Sequence, residues 1–450
     1  MAYATNPCIH NTLNSFAGNC VYIETYPICS PYYPKTSMKQ HIVIVGGGFG
    51  GLTLARKLAT SDHKITLIDK TNHHLFQPLL YQVAAAALSP GDIAAPIRSV
   101  LSKYPNVEVI LAEATSVDKE RKTVTLSNAR TISFDKLILA PGTQYNYFGH
   151  DEWKKHTFSL KTVADAIQLR ERIFMSLEQA EQIADPASRE PLLTYVIVGG
   201  GPTGVEMAGA IAEIAKRNMM RDFRNISKNE TRVFLVEAGP RILAQYPEHL
   251  SEKARKILEE MGVRVLSNTV VTNITQDMVY FGSGGISTPN IIWAAGVKGV
   301  SLSDTLGAAQ DNAGRILTEP DLSLPGYPDI FIVGDAAHVK DEKGQPLPAL
   351  APVAMQQGQF LANHLRRKSP KNARFTYTDK GNMATIGRAK AVADIRGLTF
   401  SGFTAWVLWS FVHILFLIGF RNRFKVFFEW IWYYFTFKRG VRLITGRFAT

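Results

Sequence analysis

The stretch Ile42-Val43-Ile44-Val45-Gly46-Gly47-Gly48-Phe49-Gly50-Gly51-Leu52-Thr53-Leu54-Ala55-Arg56-Lys57-Leu58 decides the fold. Its four leading apolar residues read as a strand buried on both faces of a parallel sheet. A glycine-rich turn follows at once, and a helix follows the turn. Gly46, Gly48 and Gly51 stand at the three positions that a dinucleotide-binding turn reserves for glycine. The first allows a tight bend, the second lets backbone approach a pyrophosphate, and the third lets helix and strand pack closely. The start of the helix offers unpaired N–H groups to the anion. Phe49 and Gly50 complete the turn and are expected to touch the same ligand. A second strand, Ile65-Thr66-Leu67-Ile68, ends at Asp69, 18 residues past Gly51, where a carboxylate accepts from ribose hydroxyls.

The pattern recurs. Tyr195-Val196-Ile197-Val198 runs into Gly199-Gly200-Gly201-Pro202-Thr203-Gly204, with Gly199, Gly201 and Gly204 at the same three places. Val233-Phe234-Leu235-Val236 then ends at Glu237, 33 residues past Gly204. A helix continuing toward Asp222 accounts for the wider spacing. A carboxylate at Glu237 accepts from a ribose 2′-hydroxyl and repels a 2′-phosphate, so NADH is expected over NADPH. Two such sites in one chain imply a flavin and a nicotinamide, one passing electrons to the other.

Three further turns close apolar runs: Ala140-Pro141-Gly142-Thr143, Ala294-Ala295-Gly296, and Gly334-Asp335 after Ile330-Phe331-Ile332-Val333. These resemble the crossover turns and the late Gly-Asp of the two-dinucleotide-binding-domain flavoproteins. That resemblance implies FAD at the first turn, with Asp335 on its ribityl chain, and a nicotinamide domain inserted within the FAD domain. The expected class is α/β, with two Rossmann-like domains and C-terminal amphipathic, membrane-anchoring helices. The expected boundaries are a leader at 1–37, an FAD domain at 38–157 and 312–375, an NADH domain at 158–311, and a membrane-docking segment at 376–450.

Charge locates the last of these. The chain carries 50 Lys and Arg against 38 Asp and Glu, a net charge of +12. Residues 421–447 hold seven basic residues against Glu429 alone, interleaved with aromatics from Phe424 to Phe437. Basic residues among aromatics suit nucleic acid or a membrane surface. The 23 residues Leu398–Phe420, without one charge, decide for membrane, since nucleic acid offers them nothing to bury against. Polar residues dilute that run, so two helices lying in one leaflet are expected, with a span as the alternative. Mean hydropathy is −0.03, low for a polytopic membrane protein.

Cys8, Cys20 and Cys29 are the only cysteines. Their confinement to the leader excludes thiol redox chemistry and cysteine-ligated metal from the rest. The leader reads as neither a secretory signal nor a transit peptide, and is expected to be disordered or not native.

From about residue 40 to 447 the chain resembles the type II NADH:quinone oxidoreductases, single-subunit, non-pumping flavoenzymes. The resemblance rests on Phe76-Gln77-Pro78-Leu79-Leu80-Tyr81-Gln82-Val83-Ala84, Gly204-Val205-Glu206, Val353-Ala354-Met355-Gln356-Gln357-Gly358, Gly387-Arg388-Ala389-Lys390-Ala391, and the aromatic tail. It implies hydride transfer from NADH to FAD, then two electrons to a membrane quinone. It implies roles for Glu206 in handling NADH or quinone, Gln356 and Gln357 at the quinone, Lys390 near the quinone channel, and Ala354 against the flavin. The family's first glutamine of an Ala-Gln-x-Ala-x-Gln pattern is here Pro352. Glu206 also reads as a first-turn acid favoured by the helix dipole. His73, His74 and His338 read as structural, with no metal site. Expected partners are NADH, quinone, the bilayer surface through residues 398–447 and a second copy, not nucleic acid. The expected place is the cytoplasmic face of a bacterial inner membrane. Two rival readings are a soluble reductase of a small electron carrier and an NADH-switched signalling flavoprotein.

Overall fold

The computed structural model describes residues 39–214, 222–366, 370, 373–436 and 441–444. The leader with its three cysteines, and the far end of the second cradle helix, lie outside the described residues.

Two sheets repeat one plan. The first runs Ser323–Leu324, Tyr327–Ile332, Lys136–Leu139, His41–Val45, Lys64–Asp69, Val107–Leu111, parallel except at its Ser323–Leu324 edge. The second runs Val263–Leu266, Arg232–Val236, Thr194–Val198, Asn290–Trp293, all parallel. The central strands register alike: Val45 pairs with Ile68 as Val198 pairs with Val236. Ile42, Val43, Ile44 and Tyr195, Val196, Ile197 are wholly buried, which explains their unbroken apolar runs. Each half carries a three-stranded antiparallel meander ahead of its crossover strand, at Ala114–Ser133 and Val271–Ser287. The first sheet draws strands from before and after the whole second sheet. Behind the two crossover turns, Gln144–Tyr145 and Val297–Lys298 pair antiparallel, joining the two halves.

The C-terminal region departs from the sequence reading. Its first part is a three-stranded antiparallel sheet, Asn382–Gly387, Lys390–Ile395 and Leu398–Gly402. The uncharged run Leu398–Phe420 is therefore not one element. It is a strand to Gly402, a helix Phe403–Phe416, and a break at Leu417–Gly419 before a second helix, Phe420–Thr436. Gly402 and Gly419 have φ of 73° and 90°, a region glycine adopts without strain. No described helix is long and apolar enough to cross a membrane. The sheet seats against the second cradle helix so closely that a Cβ on Gly209 would lie 1.6 Å from the Ile386 carbonyl oxygen.

Candidate functional site

Both glycine turns are built as their spacing predicts. Gly46 and Gly199 have φ of 103° and 110°. A Cβ on Gly51 would lie 1.9 Å from the Gly46 oxygen, and one on Gly204 would lie 1.8 Å from the Gly199 oxygen. No other side chain fits there. A Cβ on Gly48 or Gly201 would meet no protein atom within 4 Å. That open approach is what a pyrophosphate needs, and helices begin directly behind it at Phe49 and Pro202.

The two strand-end acids serve their turns in the same way. Asp69 Oδ2 accepts from Gly47 N at 2.6 Å, and Glu237 Oε2 accepts from Gly200 N at 2.6 Å. Asp69 also accepts from Thr71 N and Oγ1, whereas Glu237 also accepts from Gly239 N at 2.7 Å. A carboxylate offers about four acceptor sites, and the described backbone donors fill two of those on Glu237.

The late Gly-Asp meets the first turn. A Cβ on Gly50 would stand 3.3 Å from the Ala354 oxygen, and one on Gly334 would stand 3.5 Å from the Ala354 Cβ. Ala354 thus sits between the turn and Asp335. Gln357 is buried and its Oε1 accepts from Gly334 N at 2.6 Å. Burial pushes the Asp335 carboxyl up, against the opposing charge of Lys161. The helix starts at Ala351, so Gln356 and Gln357 occupy its second turn rather than its start, and Pro352 takes an early position. Gln356 faces away, exchanging hydrogen bonds with Thr378 N and O at 2.9 Å each.

A cavity of about 50 Å³ opens between the second cradle helix, the short helix Leu80–Ala84, the C-terminal sheet and the two tail helices. Glu206, Glu213, Gln82, Arg388, Trp409 and Tyr433 are among its walls. Glu206 is the fifth residue of the helix Pro202–Glu213, in the second turn, so the dipole reading of a first-turn acid does not hold. Burial pushes its pKa well up, against one hydrogen bond from Thr385 N. Glu213, two turns on, accepts from Arg388 N at 2.5 Å and Tyr433 Oη at 2.8 Å. Lys390 lies outside this lining, half-exposed and 3.1 Å from Glu260. Arg388, two residues earlier in the same motif, is the cation on the wall.

Sequence reasoning missed Lys161, Glu213, Arg388 and Tyr433. Arg388 stood inside a quoted motif and Tyr433 inside the aromatic tail, whereas Lys161 and Glu213 stood in neither. The histidines have protein partners: His74 Nδ1 lies 2.9 Å from the Gly47 oxygen, and His338 Nδ1 lies 2.8 Å from Asp311. Burial lowers the His74 pKa. Asp311 is held down at about 2, where hydrogen bonds from His338 and Arg315 outweigh burial. Among the described residues no group of three His, Cys, Asp or Glu is placed to hold a metal ion.

Residues 40–358 match the pyridine nucleotide-disulphide oxidoreductase family, and residues 380–439 match the NDH2 C-terminal domain. The chain is 38% identical over 428 residues to the type II NADH:quinone oxidoreductase Ndh of Mycobacterium tuberculosis, covering 91% of each chain. It belongs to the type II NADH:quinone oxidoreductases. The NdhA relative of the same organism is 40% identical, over 91% of this chain and 90% of that one. NDH2 from Plasmodium falciparum in complex with NADH shares the fold, with a TM-score of 0.83 at 21% identity over 90% of this chain and 99% of that one. Disulfide chemistry, which the broader family's name suggests, has no thiol here beyond residue 29. The open glycine turns and Asp335 fit FAD at the first cradle, and the matching turn with Glu237 fits NADH at the second. FAD and NADH are the cofactors of this family member.

Proposed function

We propose that the protein oxidises NADH on its FAD, reduces a membrane quinone and pumps no protons. The observation that carries this is the cavity. It joins the second cradle helix, through Glu206 and Glu213, to the tail helices, through Trp409, Trp430 and Tyr433.

FAD, when bound, accepts the hydride of NADH and passes two electrons onward. The chain's residues position and protonate. The glycine turns bind the two pyrophosphates. Asp69 and Glu237 orient the riboses, and Glu237 selects NADH. Overall, NADH, one proton and a quinone give NAD⁺ and a quinol, so one proton must come from solution. Glu206 is placed to hold it, because burial keeps its carboxyl protonated above the ordinary range. The aromatic walls exclude bulk water.

The tail supports docking in one leaflet. Phe403, Val407, Phe411 and Leu415 recur every fourth residue and are all exposed, while Ala405 and Trp409 on the other side are buried. In the second helix Phe424, Phe427, Phe428, Trp432 and Phe435 are exposed, while Val426 and Trp430 face inward. Such a stripe beside Arg421 and Arg423 suits the interface of an anionic bilayer. The higher identity to mycobacterial than to mitochondrial relatives supports a bacterial setting, and the cytoplasmic face of the inner membrane is the place we propose. Two copies side by side would double the docking surface. Light scattering in detergent showing a single chain mass would remove that part of the reading.

NADH-dependent reduction of a short-chain quinone by purified enzyme tests the proposal. Turnover with a small electron-carrier protein and none with quinone would overturn it.

A further inference from the structure

No sequence motif singles out Lys161, yet its placement is specific. Its backbone N–H donates at 3.0 Å to Asp165, the acid that completes the capping box of the helix Val163–Glu181. Its carbonyl accepts from Gln77 Nε2 at 3.2 Å. With the backbone so fixed, the side chain reaches the first crossover turn. Nζ donates to Thr143 Oγ1 at 3.1 Å and lies 5.8 Å from the Tyr145 ring centre. The Thr143 hydroxyl stands 3.5 Å from Asp335.

An ammonium has three donors, and Thr143 is the one hydrogen-bond partner the described residues give this one. Burial pushes the Lys161 pKa down, and Asp335 pulls it back up. A mostly enclosed ammonium with unfilled donors is costly unless a ligand completes it. Beyond Thr143 stands Asp335, the carboxylate already assigned to the FAD.

We propose that Lys161 faces the flavin and stabilises the negative charge that the ring gains on reduction. The inference rests on the reading of the first cradle as the FAD site. Hydride transfer breaks a C–H bond of the dihydronicotinamide and forms an N–H bond on the flavin ring. Two electrons and one proton move together, leaving NAD⁺ and one added negative charge on the flavin. The quinone then takes both electrons, that hydrogen and one further proton from solution. A fixed cation in a site of low dielectric favours the charged, reduced state and costs no reorganisation at the moment of transfer.

The test compares wild type, Lys161→Met and Lys161→Arg as purified holoenzymes. Flavin content, the two-electron midpoint potential and sulfite affinity are measured. Sulfite adds to the flavin ring and leaves the same negative charge. Lys161→Met should retain FAD while its reduced-to-oxidised ratio at fixed potential falls at least tenfold, about 30 mV for a two-electron couple. Sulfite affinity should fall with it, and Lys161→Arg should stay near wild type on both. Wild-type potential and sulfite affinity in FAD-replete Lys161→Met would overturn the proposal. So would loss of FAD from both variants, which would make Lys161 a binding or folding group. A wild-type protein that carries no flavin would overturn the cradle reading itself.

Discussion

The Tyr433 phenol, on the second tail helix, donates at 2.8 Å to Oε2 of Glu213, the last residue of the described span Pro202–Glu213 of the second cradle helix. The part of the chain read as touching the bilayer is thus hydrogen-bonded to the helix that starts behind the second glycine turn. Trp430 adds a parallel link, its Nε1 donating to Gln82 Oε1 at 2.8 Å, and Lys425 a third, 2.6 Å from the buried Asp92. Tyr433→Phe should cost about 1 kcal/mol through loss of this hydrogen bond to a carboxylate. KM for quinone should rise severalfold while the rate of flavin bleaching by NADH holds. Steady-state and stopped-flow kinetics on one preparation check both.

Glu206 gives a pH prediction with a definite sign. Burial favours its neutral form in the fold. Below the ordinary carboxyl value of 4.5 both folded and unfolded states hold the proton. Above it the unfolded chain releases the proton while the fold retains it, so stability falls as pH rises until the folded group ionises too. Glu206→Gln removes that loss. Its Tm should exceed wild type at pH 8 and match it at pH 4, by calorimetry. Quinone-dependent kcat should drop about 100-fold, the usual scale for a lost acid–base group. Unchanged kcat with both substrates would leave Glu206 a structural group.

The cradles are separable by single methyl groups. Gly204→Ala would put a Cβ against the Gly199 oxygen and should abolish bleaching by NADH while FAD stays bound. Gly51→Ala should instead yield protein without FAD. Flavin absorbance of the purified variants, before and after NADH, distinguishes the two. Glu237→Gln should raise kcat/KM for NADPH relative to NADH about tenfold, near 1.4 kcal/mol.

The glycine turns were legible because one short segment holds strand, turn and helix, and because the chain repeats it. Family placement was legible from the same residues and the tail. The cavity was not, since its walls come from elements up to 350 residues apart. Lys390 and Arg388 shared one motif, and only the hairpin at Ala389, with φ of 60°, settles which of the two reaches the wall. Leu398–Phe420 misled because a lack of charge carries no period. The cue was Gly397 and Gly402 bracketing Leu-Thr-Phe-Ser, residues that suit a short strand.

The exposed stripe predicts how the protein meets lipid. Phe403→Ser, Phe411→Ser and Phe428→Ser combined should lower partitioning onto anionic vesicles by about 1,000-fold or more, since burying each such ring is worth about 1.5–3 kcal/mol. Exposed positions contribute little to folding, so Tm in detergent should barely move. Vesicle co-sedimentation reads the first and calorimetry the second. Raised salt should weaken wild-type binding in part.

Anaerobic stopped-flow absorbance of the flavin, with NADH added first and a soluble quinone second, follows both half-reactions on one preparation. NADH should bleach the flavin fast, and the flavin band should recover fully on the timescale of turnover once quinone arrives. Bleaching that quinone fails to reverse would contradict quinone reduction, and would assign the electrons to another acceptor.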